Sequence, residues 1–250
     1  MQAPYPPAPA GRTAVLVAMP EEGAALVEAM SVSNRVEHGR RTFLFGDLWG
    51  TLAAVVVARC GKVAAATTVT ELIVRFGVGR VICTGVAGGV GDRVAIGDVV
   101  VADALVQHDL DPRPLWPRHV VPLLDTGTFE TEPDLSARIA DAARAHADLD
   151  GAGGDVHRGL IASGDQFIHG PAMADAIQDA LPDVLAVEME GAAVAQVCHE
   201  YGVPFAVFRT ISDRADGDAA ADFGESLGSF AASHTRGILS RVFGGGSGGV

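Results

Sequence analysis

The sequence predicts an α/β protein: one domain whose β-sheet is covered on both faces by helices. Three observations carry this. Short runs of Val, Leu, Ile and Ala recur along the chain with helix-length segments between several of them, which is the pattern of strands buried on both sides. The core must be aliphatic, because 48% of the 250 residues are hydrophobic and only 6% aromatic, and a chain of this length can close one large core. No unit repeats along it, which argues against solenoids and propellers.

Taken in order, a strand over residues 14–18 runs into a helix over 21–30 that opens with acids. A strand over 52–58 precedes a helix over 62–76, and a third strand over 81–84 ends in glycines. After a strand over 99–101, residues 108–132 carry Pro112, Pro114, Pro117 and Pro122 with little periodicity, which reads as a long surface loop of the kind that often serves function. A helix over 134–146, a strand over 160–162 and a helix over 171–180 follow, and Pro171 suits the first turn of the latter. The remaining elements are a strand over 184–187, a helix over 191–201, a strand over 205–208 and a helix over 223–243. Prolines at the start and the string GGGSGGV at the end predict loose termini, leaving one domain over 12–244 between the flexible stretches 1–11 and 245–250.

Acidic residues outnumber basic ones 31 to 18, a formal charge of −13, and the bases form no run. Nucleic acid and anionic membrane surfaces are therefore poor partners. Cys60, Cys83 and Cys198 form no CxxC pair and are odd in number, so they read as reduced. The opening residues lack a basic segment ahead of an apolar one, and no apolar run approaches the roughly 20 residues of a membrane helix. The expectation is a cytoplasmic enzyme.

Acids follow apolar strands at three places: Glu21 and Glu22 after TAVLVAM, Glu188 and Glu190 after VLAV, and Asp213 shortly after PFAVF. Beyond the carboxyl ends of strands is where open α/β sheets bind ligands. Each has a bland reading. Glu21 and Glu22 suit a first helical turn by the helix dipole alone, and Asp213 suits a cap or turn. Glu188 and Glu190 are harder to dismiss, because Val187, Met189 and the GAA that follows read as buried, and buried carboxylates need partners.

The segment TGVAGGVG, from Thr84 to Gly91, either makes tight turns or lets a ligand approach the backbone. It is neither a dinucleotide fingerprint nor a phosphate-binding loop. In DRADGD the acids fall at the wrong offsets for a calcium loop, and His108-Asp109-Leu110-Asp111 has no second histidine cluster to complete a metal set. No G-x-S-x-G string supports a serine nucleophile. Neither a metal nor another cofactor is expected.

The strings VAMPEEGAAL, GKVAAA, CTGVAGG, IGDVVVAD, GLIASGDQFIHG, AVEMEGAAVAQVCHEYGVPF and FRTISDRAD, in this order, resemble the 5′-methylthioadenosine/S-adenosylhomocysteine nucleosidases. The match spans roughly residues 14–243. The resemblance implies a nucleoside phosphorylase-like fold, a three-layer α/β/α sandwich around a mixed and partly barrel-like sheet, in a homodimer. It implies metal-free hydrolysis of the bond between adenine N9 and ribose C1′ in 5′-methylthioadenosine or S-adenosylhomocysteine. By position, Asp213 is then the acid toward adenine N7, Glu22 the base that holds the attacking water, and Glu190 the carboxylate at the ribose hydroxyls. Phe167 stacks on adenine and Ile168 pairs with its edge through the backbone. Ala87, Gly88, Glu188 and Ser212 join the substrate pocket, with Met189 on the sugar and Arg209 near the water.

The chemistry is consistent with those roles: adenine leaves poorly until protonated while C1′ becomes cationic, so an acid, a carboxylate and a positioned water are required. An ordinary Asp titrates at about 3.9, so donation near neutrality requires the bound state to raise Asp213. Val86 stands where the family commonly has Ser, Cys60 where an aliphatic lines the pocket, and residues 112–115 replace the segment around the 5′ substituent. These departures leave open a futalosine-type hydrolase. A phosphorylase would need a cationic or hydroxyl-rich phosphate pocket, which Val86, Ala87 and Glu22 do not offer, and a non-catalytic nucleoside sensor would not need Glu22 opposite Asp213.

Overall fold

The structure, a computed structural model, describes residues 11–150, 154–215, 219–229 and 231–245. Except for Gly11 and Gly245, the stretches expected to be loose therefore lie outside the described residues, as do Asp216, Gly217 and Asp218 of the DRADGD string.

Seventeen elements follow in chain order among the described residues: β1 (Thr13–Val17), α1 (Pro20–Ala29), β2 (Ser31–His38), β3 (Arg41–Leu48), β4 (Thr51–Val57), α2 (Lys62–Val74), β5 (Arg80–Gly89), β6 (Val99–Gln107), β7 (Thr128–Glu130), α3 (Pro133–Asp150), β8 (Val156–Ser163), α4 (Pro171–Ala180), β9 (Val184–Glu188), α5 (Gly191–Tyr201), β10 (Phe205–Asp213), α6 (Ala219–Ser229) and α7 (Ala231–Gly244).

The sheet is mixed and has two parts that share β5. Strands β5, β10, β6, β8 and β9 pair in a closed ring, with β9 returning antiparallel to β5. From β5 an open wing continues through β1 and β4 to β3 and β2. Side chains alternate across the wing because the strand period is two. Ala14 and Leu16 of β1 thus pack with Ala65, Val69 and Leu72 of α2 and with Ala192 and Val194 of α5. Val15 packs on the other face with Leu26 of α1, Ile139 of α3 and Ile238 of α7. The result is the expected α/β/α sandwich with a partly barrel-like sheet. No described helix is long and apolar enough to cross a membrane.

Two differences from the sequence reading have physical causes. The β2–β3 hairpin was not expected, because SVSNRVEH is polar and lies exposed along the sheet edge with an irregularity between Val32 and Asn34. Its turn is Gly39-Arg40, both at positive φ (55° and 58°), and Trp49-Gly50 turns β3 into β4 in the same way (52° and 83°). Such two-residue turns match the twist of paired strands. Second, β5, β6, β8 and β10 are longer than their apolar runs, since closing the ring lets glycine and polar residues pair within them. The glycines at 85, 88 and 89, expected in turns or a loop, are strand residues. The expected helix over 223–243 falls within the helical stretches Ala219–Ser229 and Ala231–Gly244, with residue 230 outside the described residues. The long loop also gives up Thr128–Glu130, which pairs with β6.

Candidate active site

The ring and the wing part company along one edge of β5, and the gap between them makes the site. Strand β1 pairs with β5 as far as Cys83, and β9 takes the same edge only from Gly88. Residues 84–87 have no strand partner on that edge, so buried amides there need another acceptor. Glu22 of α1 supplies it. Its Oε1 accepts the Val86 amide at 3.1 Å, and its Oε2 accepts the amides of Ala18 and Met19, each at 2.8 Å. The Met19 bond is half of a helix capping box, so Glu22 also serves the first turn of α1. Burial raises its pKa, against the lowering effect of Arg209 and of the three amides. A carboxylate offers about four acceptor positions, and these amides occupy three.

Glycine is required where β5 passes this group. A Cβ at Gly85, whose φ is +151°, would come within 2.4 Å of Glu22 Oε1 and 2.8 Å of an Arg209 nitrogen. One at Gly88 would stand 2.9 Å from Asp213 Oδ1.

Strand β10 brings the second set. Arg209 is almost wholly buried and its guanidinium bonds Glu188, lies 3.6 Å from Glu190 and reaches Cys83 Sγ at 3.5 Å. The register of β10 against β5 shifts between Ile211 and Asp213. Neighbours on a regular strand face opposite sides, but a bulge re-aims them, and Ser212 and Asp213 both reach the same cleft. The Ser212 hydroxyl lies 2.7 Å from Asp213 Oδ2, and the Ala215 amide donates to Oδ1 at 2.9 Å.

Glu188 ends β9 and Glu190 precedes α5. The Glu188 carboxylate accepts the Glu190 amide at 3.1 Å, the Gly191 amide at 2.8 Å, the Ser163 hydroxyl and the Arg209 guanidinium. Ser163 in turn accepts the Ala192 amide at 2.7 Å. The exposed amides and positive end of α5 are thus met by one carboxylate and one hydroxyl. Glu190 is less encumbered: Oε1 accepts the Gly61 amide at 2.8 Å. Its pKa is raised to about 7, first by burial and then by the Glu188 charge, with Arg209 and the Gly61 amide opposing. Arg209 is held firmly charged: Glu188 and the neighbouring acids raise its pKa against the effect of burial.

Glu22, Glu188, Glu190, Ser212 and Asp213 line one apolar cleft of about 270 Å³, together with Ala87, Ile168, Met189 and Phe167. Phe167 sits at its rim, edge-on to Phe223 with centroids 5.7 Å apart and stacked on His169 at 6.3 Å. Charge partners enclosed by apolar walls, with two raised carboxylates, are what a site for acid–base chemistry on a flat heteroaromatic ligand requires. The rejected metal string is engaged elsewhere: Asp109 bonds Lys62 Nζ at 2.6 Å, and Asp111 pairs with Arg113.

A model of the "Phosphorylase superfamily" matches residues 12–241. The 5′-methylthioadenosine/S-adenosylhomocysteine nucleosidase of Anoxybacillus flavithermus is 37% identical over 215 residues, covering 86% of this chain and 90% of that one. The chain belongs to this nucleosidase family. The Neisseria meningitidis nucleosidase in complex with methylthio-immucillin-A has a TM-score of 0.87 at 34% identity, over 94% of this chain and 99% of that one. A futalosine hydrolase of Helicobacter pylori is similar at a TM-score of 0.83 and 34% identity, over 93% and 97% of the two chains.

The structure brings together every residue that the nucleosidase resemblance assigned to the pocket. Arg209 stands behind its wall, and the others line it. Several further residues were not singled out: Ser163, which ties β8 to Glu188; the Gly61 amide; and Met19, Gln166, Val187 and Phe223 on the cleft wall. Of these, Ser163 left a signal, a hydroxyl closing the apolar run LIA.

Proposed function

We propose that the chain hydrolyses the N-glycosidic bond of adenine nucleosides with a 5′-thioether, releasing adenine and the thioribose. The observation that carries this reading is the convergence of Glu22, Glu190 and Asp213, from three separate elements, on one cleft that also presents Phe167. Adenine lies against Phe167, with its edge at the Ile168 backbone and its N7 toward Asp213. Asp213 delivers the proton that makes adenine a competent leaving group. Ser212, Ala87 and Gly88 shape the wall around it.

As the bond stretches, positive charge grows on C1′ and O4′. The oxygen of Glu190 not taken by Gly61 accepts the ribose hydroxyls, with Met189 packed on the sugar. Glu22 has one acceptor position beyond its three amides, and there it orients the attacking water and takes its proton. Glu188 is a positioning residue, holding Arg209 and the start of α5 so that Glu190 keeps its aim.

The attacking nucleophile is water rather than phosphate, because the wall facing it carries the Glu22 carboxylate and the aliphatic Val86, which would repel or fail to bind a dianion. The likeness to the Helicobacter pylori futalosine hydrolase supports a second reading that differs only in the 5′ group. Adenine release from 5′-methylthioadenosine, S-adenosylhomocysteine, adenosine and an aminofutalosine-type nucleoside, with and without phosphate, tests all of these. Phosphate-independent adenine release from the thioethers is expected. Strict phosphate dependence would overturn the hydrolase reading.

The protein also works as a homodimer in the cytoplasm on this reading. Leu115 and Leu123, 78% and 87% exposed on the loop before β7, support a covered face, and three free cysteines support a reducing compartment. Light scattering on the purified protein tests the first, and fractionation of cells the second.

A further inference from the structure

We propose that Lys62, Asp109 and Asp165 form a clamp that positions Glu190 for the reaction. None of the three lines the cleft. Together they hold the start of α2 so that its Gly61 amide stays on one Glu190 oxygen and the other is left for the ribose. The proposal rests on the nucleosidase reading of the cleft.

The need for a clamp begins at α2. The first amides of a helix find no partner within it. Gly61 has no side chain to cap α2, and the first turn, Lys62-Val63-Ala64-Ala65, carries no acid. Two carboxylates from elsewhere in the chain supply the acceptors: Glu190 takes the Gly61 amide at 2.8 Å, and Asp165 Oδ1 takes the Lys62 amide at 2.8 Å. Negative charge is favoured at this end of a helix. Two adjacent amides thus meet two acids, one inside the cleft and one outside it.

Asp165 is itself held. Its amide donates to Asp109 Oδ2 at 2.9 Å, and Lys62 Nζ donates to Asp109 Oδ1 at 2.6 Å. The path from the Lys62 amide through Asp165 and Asp109 returns to the Lys62 ammonium and so closes on itself, joining the start of α2 to the segments after β6 and β8. Gln107 gives Nζ a second acceptor at 3.1 Å and is fixed in turn by Gln196 of α5 at 2.7 Å. The Lys62 and Asp109 side chains are only 19% and 20% exposed, better sheltered than the surface pairs that contribute little. Burial would raise the Asp109 carboxyl, yet its bonds with Lys62 and the Asp165 amide hold it below the usual range.

Each part of the clamp adjoins the site. Lys62 follows Gly61, Asp165 precedes Gln166 and Phe167 of the cleft wall, and a Cβ on Gly61 would stand 3.1 Å from Asp165 Oδ1. Among the described residues the Gly61 amide is the one hydrogen-bond donor on the Glu190 carboxylate. The other groups that face Glu190 are Glu188 of β9, Arg209 of β10, Glu22 of α1 and the Cys60 thiol. A hydrogen bond to the ionised form favours that form, so an amide that loses its aim lets Glu190 keep its proton to higher pH.

The test follows the titration of Glu190 in wild type, Asp109→Ala, Asp165→Ala and Asp165→Asn. It is read from the carbon-13 signal of the Glu190 carboxyl, identified by its absence in Glu190→Gln, and from kcat/KM for 5′-methylthioadenosine. In both alanine variants the midpoint is expected to rise from about 7 by about one pH unit, as a weakened hydrogen bond to a charged group implies. At about pH 6 kcat/KM then falls about tenfold and recovers well above the midpoint, whereas a packing defect would lower it alike at every pH. Removing an acid acts in the opposite direction through its field, lowering the midpoint, so the sign separates positioning from charge. Asp165→Asn keeps an oxygen for the Lys62 amide and is expected to return the midpoint toward that of the wild type. A midpoint unchanged or lowered in the alanine variants, or Asp165→Asn behaving as Asp165→Ala does, would overturn the proposal. Absence of cleavage by the wild type would count against the nucleosidase reading instead; the carboxyl signal, which needs no substrate, would then decide the clamp.

Discussion

Arg209 and Glu188 form an ion pair at the floor of the cleft, both side chains almost wholly removed from water. Glu22, Glu190 and the two α5 amides are arranged around that pair, so its removal disturbs more than two charges. Breaking one side of a buried pair strands the other charge and costs about 3–5 kcal/mol. Glu188→Gln is therefore expected to lower stability by about that amount in urea unfolding, and Glu188→Gln with Arg209→Met to recover much of it. A loss under about 1 kcal/mol in the single variant would mean that the pair is not the anchor described.

Asp213→Asn keeps the size of the side chain and the contacts with Ser212 and Ala215 but has no carboxyl proton to give. Adenine release is expected to fall by about 10²–10⁴-fold, the usual worth of a general acid, while binding of an unreacted adenine nucleoside persists. Turnover within a few-fold of wild type would remove Asp213 from the proton-donor role.

Glu190 sets a pH dependence with a definite sign. Its carboxyl holds its proton to about pH 7 in the fold but loses it near pH 4.5 in the unfolded chain. Between those values the folded state binds more protons, so stability contributed by this group is present below about pH 4.5 and is lost as pH rises toward 7. Unfolding titrations of wild type and Glu190→Gln should differ in slope across that window, with the wild type falling more steeply. The same group predicts that kcat/KM rises with pH through an apparent value near 7, as the carboxylate that receives the ribose hydroxyls forms. Parallel stability profiles in the two proteins would contradict the raised value.

Gly85→Ala adds one methyl group to the tightest part of the site, against Glu22 and Arg209 and at a φ that side chains rarely adopt. Overpacking of this kind costs about 1–3 kcal/mol, and displacement of Glu22 should cut kcat more than it raises KM. Crystals of the variant with Glu22 unmoved, and normal turnover, would show that the approach is looser than described.

Much of this site was legible in the sequence, because acids at the ends of apolar strands are costly unless partnered, and Glu22, Glu188, Glu190 and Asp213 all stand there. What the sequence hid is how they meet. The bulge that aims both Ser212 and Asp213 into the cleft depends on the register of β10 against β5, which no local pattern encodes. The polar edge strand β2 carries little apolar alternation, so its hairpin was marked only by Gly39 and by Gly50 in the next turn. The extent of β5 was obscured for the opposite reason: its glycines read as turn residues, although here they make room for side chains arriving from α1 and β10. Ser163 gave a faint signal, and its role depends on β8 lying beside β9.

The shared strand β5 also sets a hierarchy of motion. Hairpin β2–β3 can fray from its outer edge without disturbing anything beyond β4, whereas the amides of the ring exchange with solvent only if a strand pulls out of a closed circuit. In deuterium labelling the wing should therefore take up label long before the ring.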